Sequence, residues 1–394
     1  MTDITFHQKV KVIYGDGAVR SAGAVVRAMG GSRALVVFDD GVRGAGLLGK
    51  LTAALDGAGV AYVLFGRVEP DPPAHLVDEG ARLCREAGCD AVIGLGGGSS
   101  LDTAKGINLL RFNRGPILAL AYAEQPPARS PGLLSVPTTA GTGSETSDGL
   151  IITDTETGTK VPILAVDGMS EYALVDPGLM AGMPPVLTAH TGLDVLAHLC
   201  ETATTVRRSP FTLPLAEAMA ARVVAWLPVA VRDGAHREAR AQMAIASTMA
   251  GCLLANHGAH VGHSIAHVLG ARFHIPHGAA CAYAEPWVLA FNAPAVPEET
   301  RRLGTLLGAS FTGRESPKEI GAKTRDAYRA FGARLGLRPL ARYLPESPDI
   351  AALAAAVAAE PFATLNPRPV GEPEAAGLLE AIWCDAKNGS GATL

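Results

Sequence analysis

At 394 residues the chain exceeds what one hydrophobic core usually holds, so two domains are expected. Its 48% hydrophobic and 18% charged residues are a globular composition and exclude disorder. A formal net charge of −4 without a run of like charge gives no footprint for nucleic acid. The opening MTDITFHQKV lacks a secretory leader, and no uninterrupted apolar stretch approaches the roughly 18 residues of a membrane span. A cytoplasmic protein with no membrane or nucleic-acid partner is therefore expected. The six cysteines contain no CxxC pair and read as buried free thiols.

In chain order, Val10–Ile13 (VKVI) is expected as an edge strand able to pair across a dimer. Ala34–Phe38 (ALVVF) is an apolar strand closed by Asp39-Asp40-Gly41, and Ala61–Phe65 (AYVLF) is a second. His75–Ala87 has helical spacing, Ala91–Leu95 (AVIGL) is a strand opening into glycines, and Leu133–Val136 runs into PTTAGTGSE. Unbroken apolar strands separated by helices are the sequence form of a parallel sheet covered on both faces. A Rossmann-like, doubly wound α/β domain is expected over residues 1–185. From 186 to 394 the spacing turns helical, as in Leu213–Val231, Arg240–Leu254 and the Ala-rich Ile350–Ala359, so an all-α domain is expected there. The terminal NGSGATL is expected to fray.

The segment from Gly94 to Lys105 (GLGGGSSLDTAK) follows a strand and opens a helix beginning near Ser100. Glycines let backbone N–H groups approach a pyrophosphate, and the helix N-terminus favours the anion. Asp39, at a strand end, suits the hydroxyls of an adenosine ribose and repels a 2′-phosphate, so NAD is favoured over NADP. The hydroxyl-rich Pro137–Glu145 suits phosphate and ribose, though such residues also make ordinary turns.

Asp194 and His198 are four apart in one helical segment, as are His263 and His267 in another, and His277 lies in a turn shaped by Pro276 and Gly278. One carboxylate and three imidazoles from two helices and a loop can close around a divalent cation and leave a position open. Nitrogen and oxygen ligands suit Fe(II), Zn(II), Mn(II) or Co(II) alike.

GGGSSLDTAK, PTTAGTGSE, DPGLMAGMPP, TGLDVLAHLCE and GHSIAHVLGARFHIPHG together resemble the signature segments of the iron-containing (group III) alcohol dehydrogenase family. The resemblance implies hydride transfer between NAD and a small alcohol, aldehyde or ketone held at a divalent metal, Fe(II) first and Zn(II) next, in a homodimer. It implies Asp194, His198, His263 and His277 as metal ligands and His267 as a proton relay. It implies a pyrophosphate on Gly96, Gly97, Gly98 and Ser99 near Asp102. Thr138, Thr139 and Thr142 would lie along the cofactor, with Ile151, Lys160 and Leu179 lining its site. Asp71, His190, His257, His260, Tyr283 and Glu285 depart from the family's usual residues and bear on substrate identity. The alternatives are an oxo-acid reductase of the maleylacetate reductase or hydroxyacid–oxoacid transhydrogenase type, a lyase resembling dehydroquinate synthases, and a non-catalytic sensor.

Overall fold

The computed structural model describes residues 4–344 and 348–388. The fraying expected at the end of the chain falls mainly on 389–394, outside the described residues. In the first half, β1 (Lys11–Tyr14) leads to α1 (Ala22–Ala28), and β2 (Arg33–Asp39) leads to α2 (Asp40–Gly44) and α3 (Leu47–Gly57). Next come β3 (Ala61–Val68), α4 (Ala74–Glu86), β4 (Ala91–Gly96) and α5 (Gly98–Phe112). The run closes with β5 (Leu133–Pro137), β6 (Gly149–Asp154), β7 (Thr159–Leu164) and β8 (Tyr172–Val175).

Six of these strands form one parallel sheet in the order β1-β8-β5-β4-β2-β3, while β6 and β7 make a separate antiparallel ribbon. Strand alternation sends Leu35, Val37 and Val92 toward Val77, Ala81 and Ile107 of α4 and α5. It sends Val36, Phe38 and Ile93 the other way, toward Val25, Leu51 and Leu55 of α1 and α3. Both faces are thus covered, which is why β2 and β4 read as unbroken apolar runs. Each fully buried Val, Leu or Ile stabilises by about 1.5–3 kcal/mol. The chain crosses back between β3 and β4, so the strand order reverses where β2 and β4 lie side by side. Open α/β sheets bind ligands beyond the carboxyl ends of strands at such a point. β1 lies at one edge of the sheet, with Val12 and Tyr14 exposed.

The second half contains α6 (Pro185–Thr204), α7 (Leu213–Arg232), α8 (Arg237–His257), α9 (Val261–Phe273) and α10 (His277–Asn292). It continues with α11 (Pro297–Leu306), α12 (Pro317–Arg334), α13 (Ile350–Ala359) and α14 (Glu372–Asn388), and no strand follows residue 184 among the described residues. The chain divides into two compact units. His7–Met183 and Gly234–Ala255, most of α8, make up the sheet unit, and the described residues up to Phe6, Pro184–Asp233 and the described residues from Asn256 onward make up the helical unit. In the sheet unit α8 docks on the segment after β5: Thr248 Oγ1 donates to Glu145 Oε1 at 2.7 Å and Thr146 Oγ1 donates to the Thr248 carbonyl at 2.7 Å. Gly251 meets Gly143 so closely that a Cβ on it would stand 1.9 Å from the Gly143 oxygen. Gly143 and Glu145 of PTTAGTGSE are therefore structural, while Thr139 and Thr142 stand beside Gly97 and Gly98 of the glycine loop.

By length and composition α7 could cross a membrane. Ala216, Met219, Ala220, Val223 and Leu227 are nonetheless buried in the helical unit, and Leu227 fits against Gly192 of α6, where a Cβ would lie 2.2 Å away. The helical unit's core joins Ile265 and Leu269 of α9 to Ala280, Ala284 and Val288 of α10 and Leu379 and Ile382 of α14.

Candidate metal centre and dinucleotide loop

Asp194 and His198 stand one turn apart on a stretch of α6 that is buried throughout. α9 brings His263 and His267 inward and ends at His274, whose left-handed φ of 53° turns the chain out of the helix. Pro276, extended at ψ 132°, then caps α10, so His277 is the first residue of a helix and not part of a loop. Pro276 cannot continue a helix behind it but can precede one, which is what converts HIPHG into a helix start.

Four side chains from three helices converge: Asp194, His198, His263 and His277 each offer one ligand atom, all within 4.8 Å of one another. Asp194 Oδ1 lies 3.7 Å from His198 Nε2, 3.7 Å from His263 Nε2 and 3.5 Å from His277 Nε2. These separations are too long for hydrogen bonds, and Asp194 Oδ1 is buried with no hydrogen-bond partner among the described residues. Donors bound at 2.0–2.2 Å around a tetrahedral cation lie about 3.4 Å apart, which is nearly the spacing here. An unpartnered buried carboxylate is costly, and a divalent cation at the middle of this set would satisfy it. Burial opposes charge on Asp194, yet His198 and His277 hold its carboxyl well below the usual carboxylate range. Burial pushes His198 down to about 4 against the pull of Asp194, leaving a neutral imidazole with a lone pair to give.

His267 lies one turn beyond His263 with its ring 5.5 Å from that of His277, and its Nδ1 is 3.4 Å from Glu360 Oε2. Two neighbours escaped the sequence reading. Glu201 follows Asp194 and His198 on the same face of α6, and its Oε1 is 2.8 Å from His263 Nδ1, which turns Nε2 toward the cluster. The spacing of Asp194, His198 and Glu201, i, i+4 and i+7, was the available signal. Cys281, one turn after His277, has its Sγ 3.7 Å from both His263 Nε2 and His277 Nε2; burial pushes its thiol up to about 12.

The unusual residues take structural positions. His260 is wholly buried, with Nε2 2.9 Å from Thr204 Oγ1 and its backbone N–H donated to Glu201. The backbone oxygen of His190 sits against Gly278, where a Cβ would stand 2.1 Å from it. Burial pushes the imidazoles of His190 and His257 down. Tyr283 Oη donates to the Arg338 carbonyl at 2.5 Å. Asp71, at φ 52°, accepts from Lys160 Nζ at 2.6 Å; Asp is among the few residues that tolerate this backbone region.

In the sheet unit Asp39, Gly96, Gly97, Gly98, Ser99, Thr138, Thr139 and Thr142 lie at the carboxyl ends of β2, β4 and β5, whereas Ile151 and Lys160 are on the β6–β7 ribbon and Leu179 follows β8. Asp39 Oδ1 accepts from the Val42 N–H at 2.9 Å, capping α2, and its Oδ2 accepts from Ser100 Oγ at 2.8 Å. Gly96, at φ 153°, packs where a Cβ would lie 2.4 Å from Ser100 Oγ. α5 opens at Gly98, two residues earlier than expected, because Gly97 serves as its extended cap. Gly97, Gly98 and Ser99 remain half-buried at this helix start, with Thr139 beside Gly97 and Thr142 beside Gly98. The Thr138 N–H donates to the Gly96 carbonyl at 2.9 Å. Asp102 is committed on both oxygens, to Ser144 Oγ at 2.6 Å and the Ile151 N–H at 2.9 Å, and Leu179 is buried in the core with Val136 and Leu174.

Known proteins resemble the chain over most of its length. The iron-containing alcohol dehydrogenase family matches residues 9–177, and the C-terminal domain of the Fe-containing alcohol dehydrogenase family matches residues 188–383. The chain is similar to the NAD-dependent methanol dehydrogenase of Bacillus methanolicus, 35% identical over 301 residues, 76% of this chain and 79% of that protein. It is similar to the sulfoacetaldehyde reductase of Bilophila wadsworthia, 31% identical over 374 residues, 94% of this chain and 97% of that protein. The crystal structure of a 1,3-propanediol oxidoreductase resembles it with a TM-score of 0.89 at 32% identity, covering 97% of this chain and 100% of that one. With both of its halves matched, the chain belongs to the iron-containing alcohol dehydrogenase family.

Proposed function

We propose that this protein interconverts a small alcohol and its aldehyde or ketone, with NAD as hydride carrier and one divalent cation held by Asp194, His198, His263 and His277. The observation that carries the reading is the buried, unpartnered Asp194 Oδ1 facing three imidazole nitrogens at 3.5–3.7 Å. The bound cation supplies Lewis-acid polarisation of the substrate's C–O bond, and the nicotinamide carries the hydride. Iron is favoured by the family, and the same donors accept zinc. The backbone N–H groups of Gly97, Gly98 and Ser99 at the start of α5 bind the pyrophosphate, with Gly96 shaping the approach and Thr138, Thr139 and Thr142 alongside. Asp102, Ile151, Lys160 and Leu179 shape and line the site around them. Asp39 accepts from the adenosine ribose and disfavours a 2′-phosphate. His267 moves the alcohol proton to solvent, a role suited to an imidazole whose ordinary pKa lies near neutrality.

A substrate carrying its own carboxylate is disfavoured. His260 is committed to Glu201 and Thr204, and burial pushes His190 and His257 toward the neutral form, so none of the three offers an anion a cation. The exposed outer strand β1 supports a homodimer, and thiols without a disulfide among the described residues support a reducing, cytoplasmic setting. Chelator-stripped enzyme, followed by NADH consumption with small aldehydes, is expected to lose at least about 100-fold in rate and to recover it with one equivalent of Fe(II) or Zn(II). Full activity without metal, or faster turnover of an oxo-acid than of any aldehyde, would contradict the reading.

A further inference from the structure

Behind the four converging side chains lies a carboxyl group without a cation. Glu285 stands on α10 two turns beyond His277, wholly buried, and neither of its oxygens receives a hydrogen bond from an N–H or O–H of the described residues. His277, Cys281 and Glu285 line one face of α10, and Asp194, His198 and Glu201 line one face of α6, which packs against it. The two faces end in carboxyls that meet at Gly262 of α9. A Cβ on that glycine would stand 2.3 Å from Glu201 Oε1 and 2.7 Å from Glu285 Oε2. Only the missing side chain at 262 lets the two groups come together.

Two carboxylates so close in a dry interior cannot both be charged. Glu201 has the better claim to the charge, because it takes the His260 backbone N–H and His263 Nδ1, the latter at 2.8 Å. Burial and the neighbouring Glu201 push the Glu285 carboxyl far above its ordinary range.

We propose that Glu285 is a positioning residue of the metal centre, whose neutral carboxyl donates its O–H to Glu201 and so fixes the carboxylate that aims His263. The inference rests on the reading of Asp194, His198, His263 and His277 as ligands. Groups that orient a ligand from behind are typically worth 10–100-fold in metal affinity. Without the O–H, Glu201 loses one of its three holds, and His263 Nε2 is less well aimed at Asp194.

The test compares Glu285→Gln, which keeps an N–H donor for Glu201, with Glu285→Leu, which keeps bulk and removes the donor. Zn(II) affinity is read by chelator competition, and ligand geometry by the visible absorption of the Co(II)-loaded protein. Glu285→Leu is expected to bind Zn(II) roughly 10–100-fold more weakly with an altered Co(II) spectrum, while Glu285→Gln stays within about threefold of wild type. A Leu variant indistinguishable from wild type, or a Gln variant as weak as Leu, overturns the proposal. Infrared difference spectra of wild type minus Glu285→Gln need neither metal nor the Leu variant. They are expected to show the carbonyl stretch of a protonated carboxyl at neutral pH, and its absence also overturns the proposal. An Asp194→Ala control separates the two claims, since a Co(II) spectrum surviving that change would sink the ligand reading itself.

Discussion

Asp194→Ala is expected to release the cation and to lower turnover by about a thousandfold or more, the equivalent of roughly 4 kcal/mol of transition-state stabilisation. Asp194 is the single anion of its set, and its Oδ1 is the point from which all three Nε2 atoms lie 3.5–3.7 Å away. Three imidazoles without it must hold a doubly charged ion with no anionic ligand, the Glu201 carboxylate lying behind His263 and out of the ligand set. The fold should survive, but the apo-protein is expected to melt at a lower temperature, because the substitution removes the carboxylate that the neighbouring imidazoles hold ionised. Metal analysis after gel filtration, thermal unfolding of the apo-protein and NADH-linked turnover read the three consequences separately. Full metal occupancy in the variant would remove Asp194 from the ligand set.

The second large effect belongs to the sheet unit. Gly98 is the first residue of α5, and a Cβ there would stand 2.7 Å from Thr142 Cγ2. Gly98→Val therefore displaces Thr142 and sets a branched side chain over the N–H groups proposed to receive the pyrophosphate. A helix N-terminus binds anions only when its backbone can be reached. NADH affinity, measured by fluorescence titration, is expected to fall about 100-fold or more, near the 2.7 kcal/mol that two powers of ten represent. Metal content should not change, because all four expected ligands lie in the helical unit. A variant that binds NADH as wild type does would place the pyrophosphate elsewhere.

The sheet was legible in the sequence because covering both faces writes strands as unbroken apolar runs, as in β2 and β4. β6 and β7 were not, since the apolar run of β6 is only Leu150–Ile152 and that of β7 is broken by Pro162, and β8 is only 4 residues long. Membership of α8 in the sheet unit depends on Gly251 meeting Gly143, a contact between glycines more than a hundred residues apart that no local pattern announces. At the candidate metal centre the i, i+4 pairs were readable as two helix faces. His277 was misread as a loop residue because Pro276 and Gly278 are turn formers that here start a helix. His260 stood out as an unusual residue, but that it belongs to Glu201 and Thr204 follows only from how α6 and the start of α9 are packed. The meeting of Glu201 with Glu285 was hidden for the same reason, since it needs three helices and the absent side chain of Gly262 at one point.

The most direct test is the anomalous difference map of crystals grown with Zn(II) or Co(II). A single strong peak is expected about 2.0–2.2 Å from a carboxylate oxygen of Asp194 and from Nε2 of His198, His263 and His277. A peak coordinated by other residues, or these four side chains turned away from it, would contradict the account.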